Sequence, residues 1–155
     1  MSSRKYNSDQ VITINSDASF HHKLQKGGWA CWVSYDGGRI QKSGTFKESL
    51  HNSTDAEIKA VCNAFFYVEK ILKGKDIKMV IVNCDNQTTR TIITKREIIN
   101  GCKESSKTLI DYVHKYECVI AKHIKGHQSA YNSRQYVNNW CDVNSRNYLK
   151  TIVCH

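Results

Sequence analysis

Apolar and polar residues alternate along the first third of the chain, which is the period of a half-buried β-strand. Residues 11–19 follow this alternation, and residues 29–35 are rich in aromatic and β-branched side chains. Asp36-Gly37-Gly38 has the composition of a tight hairpin turn, and residues 39–46 continue as a further strand. Between the first two strands we predict a turn at Gly27-Gly28. The pattern therefore predicts a meander of three antiparallel strands.

The rest of the chain mixes helical and strand patterns. Apolar residues at helical spacing predict a helix that Ser53 or Thr54 caps and that runs to about Leu72. Residues 78–84 are almost wholly apolar, as expected of a buried central strand. We further expect a short helix over 86–93 capped by Asn86, a helix over 106–116, a strand over 118–124, a polar loop over 125–133 and a C-terminal helix.

The order β-β-β-α-β-α-α-β-α predicts an α/β fold. We expect a mixed five-stranded sheet whose first three strands are antiparallel, with helices on both faces. Residues 1–10 are interpreted as a short polar tail and residues 11–155 as a single domain, because 155 residues is an ordinary domain size.

Four carboxylates stand at the ends of predicted strands or in predicted helices. Asp17 closes the first strand and Asp85 follows the apolar strand, while Glu57 lies in the first turn of the long helix and Asp142 in the last helix. Such positions can converge at one edge of a sheet, where clustered carboxylates repel each other unless cations neutralise them. Oxygen ligands suit Mg²⁺, so the pattern indicates metal-assisted phosphodiester chemistry.

The charge balance favours a polyanionic partner. Lys and Arg total 23 against 14 Asp and Glu, a formal charge of +9. Solubility alone is the alternative explanation.

The seven cysteines are scattered, with no Cys-x-x-Cys pair, which disfavours a zinc site and favours reduced thiols in a cytoplasmic compartment. The N-terminal residues lack the apolar core of a signal peptide, and no apolar run is long enough to span a membrane.

Taken together, the motifs resemble ribonuclease H of type 1, the bacterial HI and retroviral kind, over roughly residues 11–150. The segments that carry the resemblance are Asp17-Ala18-Ser19, Gly27-Gly28-Trp29-Ala30, Ala56-Glu57, Cys84-Asp85-Asn86, Lys125-Gly126-His127 and Asn138-x-x-Cys141-Asp142. The chain departs from the family at Ala18, where the family has Gly. It also has a short interval between Asp85 and His127, which implies that the basic handle helix is missing.

The resemblance implies an endonuclease that hydrolyses the RNA strand of RNA–DNA hybrids with two Mg²⁺ ions, which Mn²⁺ can replace. Asp17 would bridge the two ions, Glu57 and Asp85 would complete the ion at the leaving group, and Asp142 would hold the ion that carries the attacking water. His127 would assist proton transfer or product release. No small-molecule cofactor is implied, and a monomer is the default.

Nucleic-acid contacts are a further expectation. Selectivity in this family comes from backbone shape and the 2′-hydroxyl rather than from base edges. The residues expected to contact the hybrid are Ser16, Ser19, Asn52, Ser53, Thr54, Asn86, Gln128 and Asn138. The basic residues Lys23, Lys26, Arg90, Lys95 and Arg96 are candidates for phosphate contacts.

Structural roles compete with these assignments. Asp85 could cap a helix, Glu57 could favour a helix dipole, Asp142 could be a solvated acid and Asp17 could form an Asx turn. At the level of function, a DNA-directed nuclease of the same superfamily, such as a resolvase or transposase core, and a non-catalytic nucleic-acid-binding module stay open. Asp55 is expected only to stabilise the first helical turn, and Trp140 to pack rather than to stack on a base.

Overall fold

The computed structural model describes residues 11–123 and 133–153. In chain order these residues form β1 (Val11–His21), β2 (Lys26–Tyr35), β3 (Gly38–Thr45), α1 (Ser53–Ile71), β4 (Met79–Asn83), α2 (Gln87–Lys95), α3 (Lys103–Val113), β5 (Cys118–Lys122) and α4 (Ser133–Val153). The expected order of elements is confirmed.

The sheet has the strand order β3-β2-β1-β4-β5. Neighbours among β1, β2 and β3 are antiparallel, whereas β4 pairs parallel with both β1 and β5. The expected mixed sheet of five strands is therefore confirmed. Strand β1 lies at the centre of the sheet, and its parallel pairing with β4 ends where Asn15 lies opposite Asn83. The residues that directly follow these two asparagines therefore lie close to each other.

Side-chain alternation in β2 shows that helices cover both faces. Cys31 and Val33 belong to a large apolar cluster with α1, α2 and α3, whereas Ala30 and Trp32 pack with Val137 and Cys141 of α4. Trp29 and Trp32, three positions apart, accordingly lie on opposite faces.

The predicted turn at Gly27-Gly28 is wrong. The chain turns at residues 22–25 instead, where Gln25 has a positive φ of 54° and its N–H donates to the His21 carbonyl at 2.8 Å. Both glycines lie inside β2. Neighbouring backbone leaves no room for a side chain at either position, which explains why glycine occurs there. A Cβ at Gly27 would lie 2.5 Å from the Ser19 carbonyl oxygen, and one at Gly28 would overlap the Ser145 carbonyl oxygen.

The helix predicted over 106–116 begins earlier and ends earlier, as α3 over Lys103–Val113. Ser106, the expected first residue of this helix, lies inside α3, and its hydroxyl accepts a hydrogen bond from the Ile99 N–H at 3.2 Å. Cys102 occupies the N-cap position, but its side chain does not cap the helix, and its thiol donates to Asn52 Oδ1 at 3.5 Å instead. A serine inside a helix can thus accept a hydrogen bond from a backbone N–H of the preceding loop instead of capping the helix.

The cysteines are free in the described part of the chain. Burial raises the pKa values of Cys31, Cys62 and Cys84 to about 12. These thiols therefore stay protonated and pack as small apolar groups. Among the described residues no helix is both long and apolar enough to cross a membrane. The cellular compartment stays a prediction.

Candidate active site beside strands β1 and β4

Four separate elements carry the four predicted carboxylates. Asp17 lies in β1, Glu57 is the fifth residue of α1, Asp85 follows the end of β4, and Asp142 lies midway along α4. Asp17, Glu57 and Asp142 are half-buried, and Asp85 is exposed.

Backbone register explains why Asp17 and Asp85 are close. Asn15 pairs with Asn83 in the parallel ladder, and each asparagine precedes its acid by two residues. The side chains of the pair are buried and joined by a hydrogen bond from Asn83 Nδ2 to Asn15 Oδ1 at 3.1 Å. Sequence reasoning missed this pair, although the repeated Asn-x-Asp spacing was a signal for it. The asparagines fix the two strands directly beneath the acids.

Helix α4 reaches the same place from its face of the sheet. The Cys141 thiol lies 3.7 Å from the Asn15 carbonyl oxygen, and the Ser145 and Ser19 hydroxyls are 3.1 Å apart. The absence of a side chain at Gly28 lets the α4 backbone lie directly on β2. Asp142, one residue after Cys141, is thereby placed beside Asp17.

This environment raises the pKa of Asp17. Burial is the main cause that raises it from 3.8 to about 7, and repulsion from Asp142 and Asp85 adds to the rise. A hydrogen bond with Asp142 also favours the protonated form of Asp17. The Ala18 N–H, which donates to Asp17 Oδ1 at 2.9 Å, acts in the opposite direction.

Glu57 responds in the same way. Burial raises its pKa from 4.5 to about 9, with further contributions from the charges of Asp17, Asp85 and Asp142. Asp17 and Glu57 therefore lie within electrostatic reach of each other, and both lie within reach of Asp85 and Asp142. A buried group of like charges is costly unless protons or cations neutralise it.

The carboxylates surround a shared region without meeting at one point. In the described ranges, no three His, Cys, Asp or Glu side chains are grouped tightly enough to form a ready-made metal site. Asp142 instead accepts from Arg146, whose Nη2 lies 3.0 Å from its Oδ2. The donor set nevertheless fits a divalent ion, because carboxylate oxygens are the ligands that Mg²⁺ accepts and none of the described residues places a buried cation against these acids.

Structural alternatives for the acids find little support. Asn86, not Asp85, caps α2, since its Oδ1 accepts from the Thr89 N–H at 2.8 Å. Asp55 is the acid in the first turn of α1, whereas Glu57 lies one residue beyond that turn. Asp17 bonds to the next residue, Ala18, rather than forming an Asx turn.

Several predicted nucleic-acid contacts have structural partners. Asn52 caps α1 by accepting from the Asp55 N–H at 2.8 Å, Asn86 caps α2, and Ser19 pairs with Ser145. The Ser16 hydroxyl is buried and has no hydrogen-bond partner among the described residues. Ser53 is exposed, and Thr54 and Asn138 are half-buried. His127 and Gln128 lie outside the described residues. All eight contacts stay predictions.

Asp55 has a larger role than predicted. It is 1% exposed and accepts hydrogen bonds from the Ser105 hydroxyl at 2.6 Å and the His51 N–H at 3.0 Å. Its carboxylate thus ties the start of α1 to α3. Trp140 packs against Trp32, with ring centroids 5.5 Å apart in a T-shaped arrangement, as expected.

Comparison with solved structures identifies the architecture. An N-terminal ribonuclease H domain from Mycobacterium tuberculosis, fused to maltose-binding protein, superposes with a TM-score of 0.70 at 9% identity, over 91% of this chain and 94% of that one. This chain has the ribonuclease H fold. The RNase H1 of the halophilic archaeon Halobacterium salinarum NRC-1 gives a TM-score of 0.64 at 14% identity, over 91% and 98% of the two chains.

A third ribonuclease H structure contains nucleic acid. LC11-RNase H1, isolated from compost by a metagenomic approach, was solved in complex with an RNA/DNA hybrid. It gives a TM-score of 0.68 at 13% identity, over 92% of this chain and 99% of that one. No protein-family model and no curated protein matches the chain by sequence.

Proposed function

We propose that this chain is a metal-dependent endonuclease that hydrolyses the RNA strand of RNA–DNA hybrids. The observation that carries the proposal is the gathering of Asp17, Glu57, Asp85 and Asp142 from four elements of a ribonuclease H fold. Their mutual repulsion and burial, expressed in the raised pKa values of Asp17 and Glu57, are what a cation site would relieve.

Each carboxylate has a role in this proposal. Asp17, Glu57 and Asp85 would hold one divalent ion, preferably Mg²⁺, and Asp17 with Asp142 would hold a second. When bound, the ions supply Lewis-acid activation of a water and neutralise charge on the leaving oxygen. To act as a ligand, Asp142 must give up or share its ion pair with Arg146. His127 would serve proton transfer.

We further propose a type 1 enzyme that lacks the basic handle. In support of this, α2 ends at Lys95 and α3 begins at Lys103, so no additional helix lies between them. The hybrid must then be held by other basic groups, which a formal charge of +9 provides.

A cleavage assay tests the proposal. One labelled sequence is offered as RNA–DNA hybrid, duplex RNA, duplex DNA and single strands, with Mg²⁺, Mn²⁺ or EDTA. We expect metal-dependent cutting of the hybrid's RNA strand alone. Cutting of DNA would indicate a resolvase-like or transposase-like enzyme, and binding without any cutting would indicate a non-catalytic module.

Matched variants test the site itself. Asp17→Asn removes the shared carboxylate and should lower kcat by about a thousandfold, since an activating metal supplies several kcal/mol and each tenfold costs about 1.4 kcal/mol. Asp36→Asn, an exposed acid in the β2–β3 turn, removes the same charge away from the site and should leave kcat unchanged. Equal activity of the two variants would overturn the assignment.

A further inference from the structure

A polar cleft lies between α2 and the end of β5, and none of the four carboxylates is among its lining residues. It has a volume of about 310 Å³. Its polar lining consists of Gln87, Arg90, Thr91, Thr94, Lys95 and His123. We call it the α2–β5 cleft.

One face of α2 forms most of this cleft. The helical residues that line it follow the i, i+3, i+4, i+7, i+8 spacing of a single face, and all five are polar. The opposite face buries Thr89, Ile92 and Ile93 in the core. Because α2 packs firmly through that apolar face, its polar face is held open toward the end of β5.

The charge of the cleft is positive. It presents the guanidinium of Arg90, the ammonium of Lys95 and the imidazole of His123, and no acid is among the described residues that line it. None of the ion pairs in the described part of the chain involves these three side chains. Lys95 and His123 are exposed, so their donors are available to a ligand.

Arg90 connects the cleft to the carboxylates. Its Nη1 donates to the Cys84 carbonyl oxygen at 3.0 Å, which fixes the guanidinium one residue before Asp85. On the β5 side, the Cys84 N–H donates to the Lys122 carbonyl oxygen at 3.1 Å, so His123 continues alongside Cys84. The cleft therefore begins where Asp85 leaves the sheet.

We propose that the α2–β5 cleft binds a phosphodiester group of the nucleic acid, on the β5 side of the group that the carboxylates act on. Arg90 supplies a fixed fork of N–H donors, Lys95 and His123 supply further donors, and the Thr hydroxyls complete the anion's hydrogen bonds. Such contacts set the register of a strand without reading its bases. The identity of the nucleic acid rests on the proposed function.

Binding in EDTA tests the cleft without relying on cleavage. The variant Lys95→Gln/His123→Gln is compared with Lys73→Gln/His114→Gln, which makes the same changes at exposed positions outside the cleft. Fluorescence anisotropy gives Kd for a labelled RNA–DNA hybrid over a series of salt concentrations. We expect the cleft variant to bind about five- to tenfold more weakly at ~0.1 M salt, with a salt slope smaller by about 1. The control should match the wild type.

A second measurement locates the phosphate. Single methylphosphonate linkages neutralise one phosphate at a time in either strand of the hybrid. At the position that occupies the cleft, the wild type should lose affinity and the cleft variant should lose none further. That position identifies the strand. If cleavage occurs, the cleft variant should raise KM and leave kcat within about twofold.

The outcomes separate this proposal from the proposed function. A wild type that binds the hybrid and never cuts it, with weaker binding by the cleft variant, supports the cleft and overturns the nuclease. A wild type that cuts the hybrid, with equal binding by cleft and control variants, supports the nuclease and overturns the cleft. Binding of inorganic phosphate or a mononucleotide at the cleft with unchanged hybrid affinity, or no binding of nucleic acid at low salt, also overturns the cleft.

Discussion

The face of the sheet under α1, α2 and α3 buries one large apolar cluster, whereas the face under α4 joins a few apolar side chains to a row of polar ones. On the first face, Phe65 is fully buried and stacks on Tyr112 with ring centroids 5.5 Å apart. On the second, the described cluster is Ala30, Trp32, Val137 and Cys141. The polar pairs Asn15–Asn83 and Ser19–Ser145 lie in contact with this second region.

The first face therefore contributes mainly to the stability of the fold, and the second face positions the carboxylates. Apolar burial on the first face supplies most of the free energy of folding, because that energy scales with the apolar area removed from water. The second face can then bury polar groups and place Asp17 beside Asp142. Carboxylates with strongly raised pKa values persist only where the surrounding structure holds them in place.

The largest expected effect is on the apolar face. Phe65→Ala should lower the free energy of unfolding by about 3–5 kcal/mol, because it leaves a cavity among fully buried side chains. Trp140→Ala, on the half-buried α4 side, should cost only about 1–2 kcal/mol. Urea unfolding of both variants measures the contrast. Equal losses would mean that the two faces contribute alike.

The next effect concerns the contact between β2 and α4. A Cβ at Gly28 would overlap the Ser145 carbonyl oxygen and lie 2.8 Å from the Leu149 nitrogen. Gly28→Ala should therefore destabilise the fold by about 1–3 kcal/mol. By displacing α4 and Asp142, it should also lower kcat further than the loss of folded protein explains.

Gly44→Ala is the matched control for this prediction. The three atoms nearest to a Cβ there would be ring atoms of Trp29 at 3.4–3.6 Å, which is ordinary van der Waals contact. Unchanged cleavage in Gly28→Ala, measured on the folded fraction by circular dichroism and kinetics, would show that α4 tolerates displacement.

The carboxylates make stability depend on pH. Folded Asp17 and Glu57 keep their protons up to pKa values of about 7 and about 9, against ordinary values of 3.8 and 4.5. Between these limits the folded state binds more protons than the unfolded state, so stability in EDTA should fall as pH rises, by on the order of 1–2 kcal/mol. Mg²⁺ should restore more stability at about pH 8 than at about pH 6.

Asp17→Asn sharpens this test because it removes one of the two titrating groups. Its unfolding free energy in EDTA should depend less on pH than that of the wild type, and Mg²⁺ should stabilise it less. Urea titrations across the pH range measure both quantities. Identical pH profiles of the variant and the wild type would show that burial and the neighbouring carboxylates do not raise the pKa of Asp17.

The smallest effect concerns Arg146. Arg146→Gln removes a partly exposed ion pair and should change stability by less than about 0.5 kcal/mol. Because Arg146 competes with a cation for Asp142, the variant should bind Mg²⁺ about two- to fivefold more tightly by calorimetry. Lys150→Gln, exposed on the same helix, should not. Weaker Mg²⁺ binding in Arg146→Gln would place Asp142 outside the metal site.

Element order was predictable because each element carries its own periodicity. The alternation before Asp17, the apolar strand before Asp85 and the helical spacing around Glu57 are local, and all three elements are confirmed. Gly27-Gly28 misled the prediction, since a glycine pair is equally consistent with a turn and with close backbone packing. The length of chain between β1 and β2 does not distinguish the two.

By itself, the sequence determined the α/β order and placed the acids in or directly after the correct elements, although β1 continues to His21 instead of ending at Asp17. The tertiary structure decided that Asn15 lies opposite Asn83, that α4 rests on Gly28, and that Asp55 is buried between α1 and α3. It also decided that one polar face of α2 meets the end of β5. These features depend on contacts between residues far apart in the chain, whose register is set by packing and not by any local pattern.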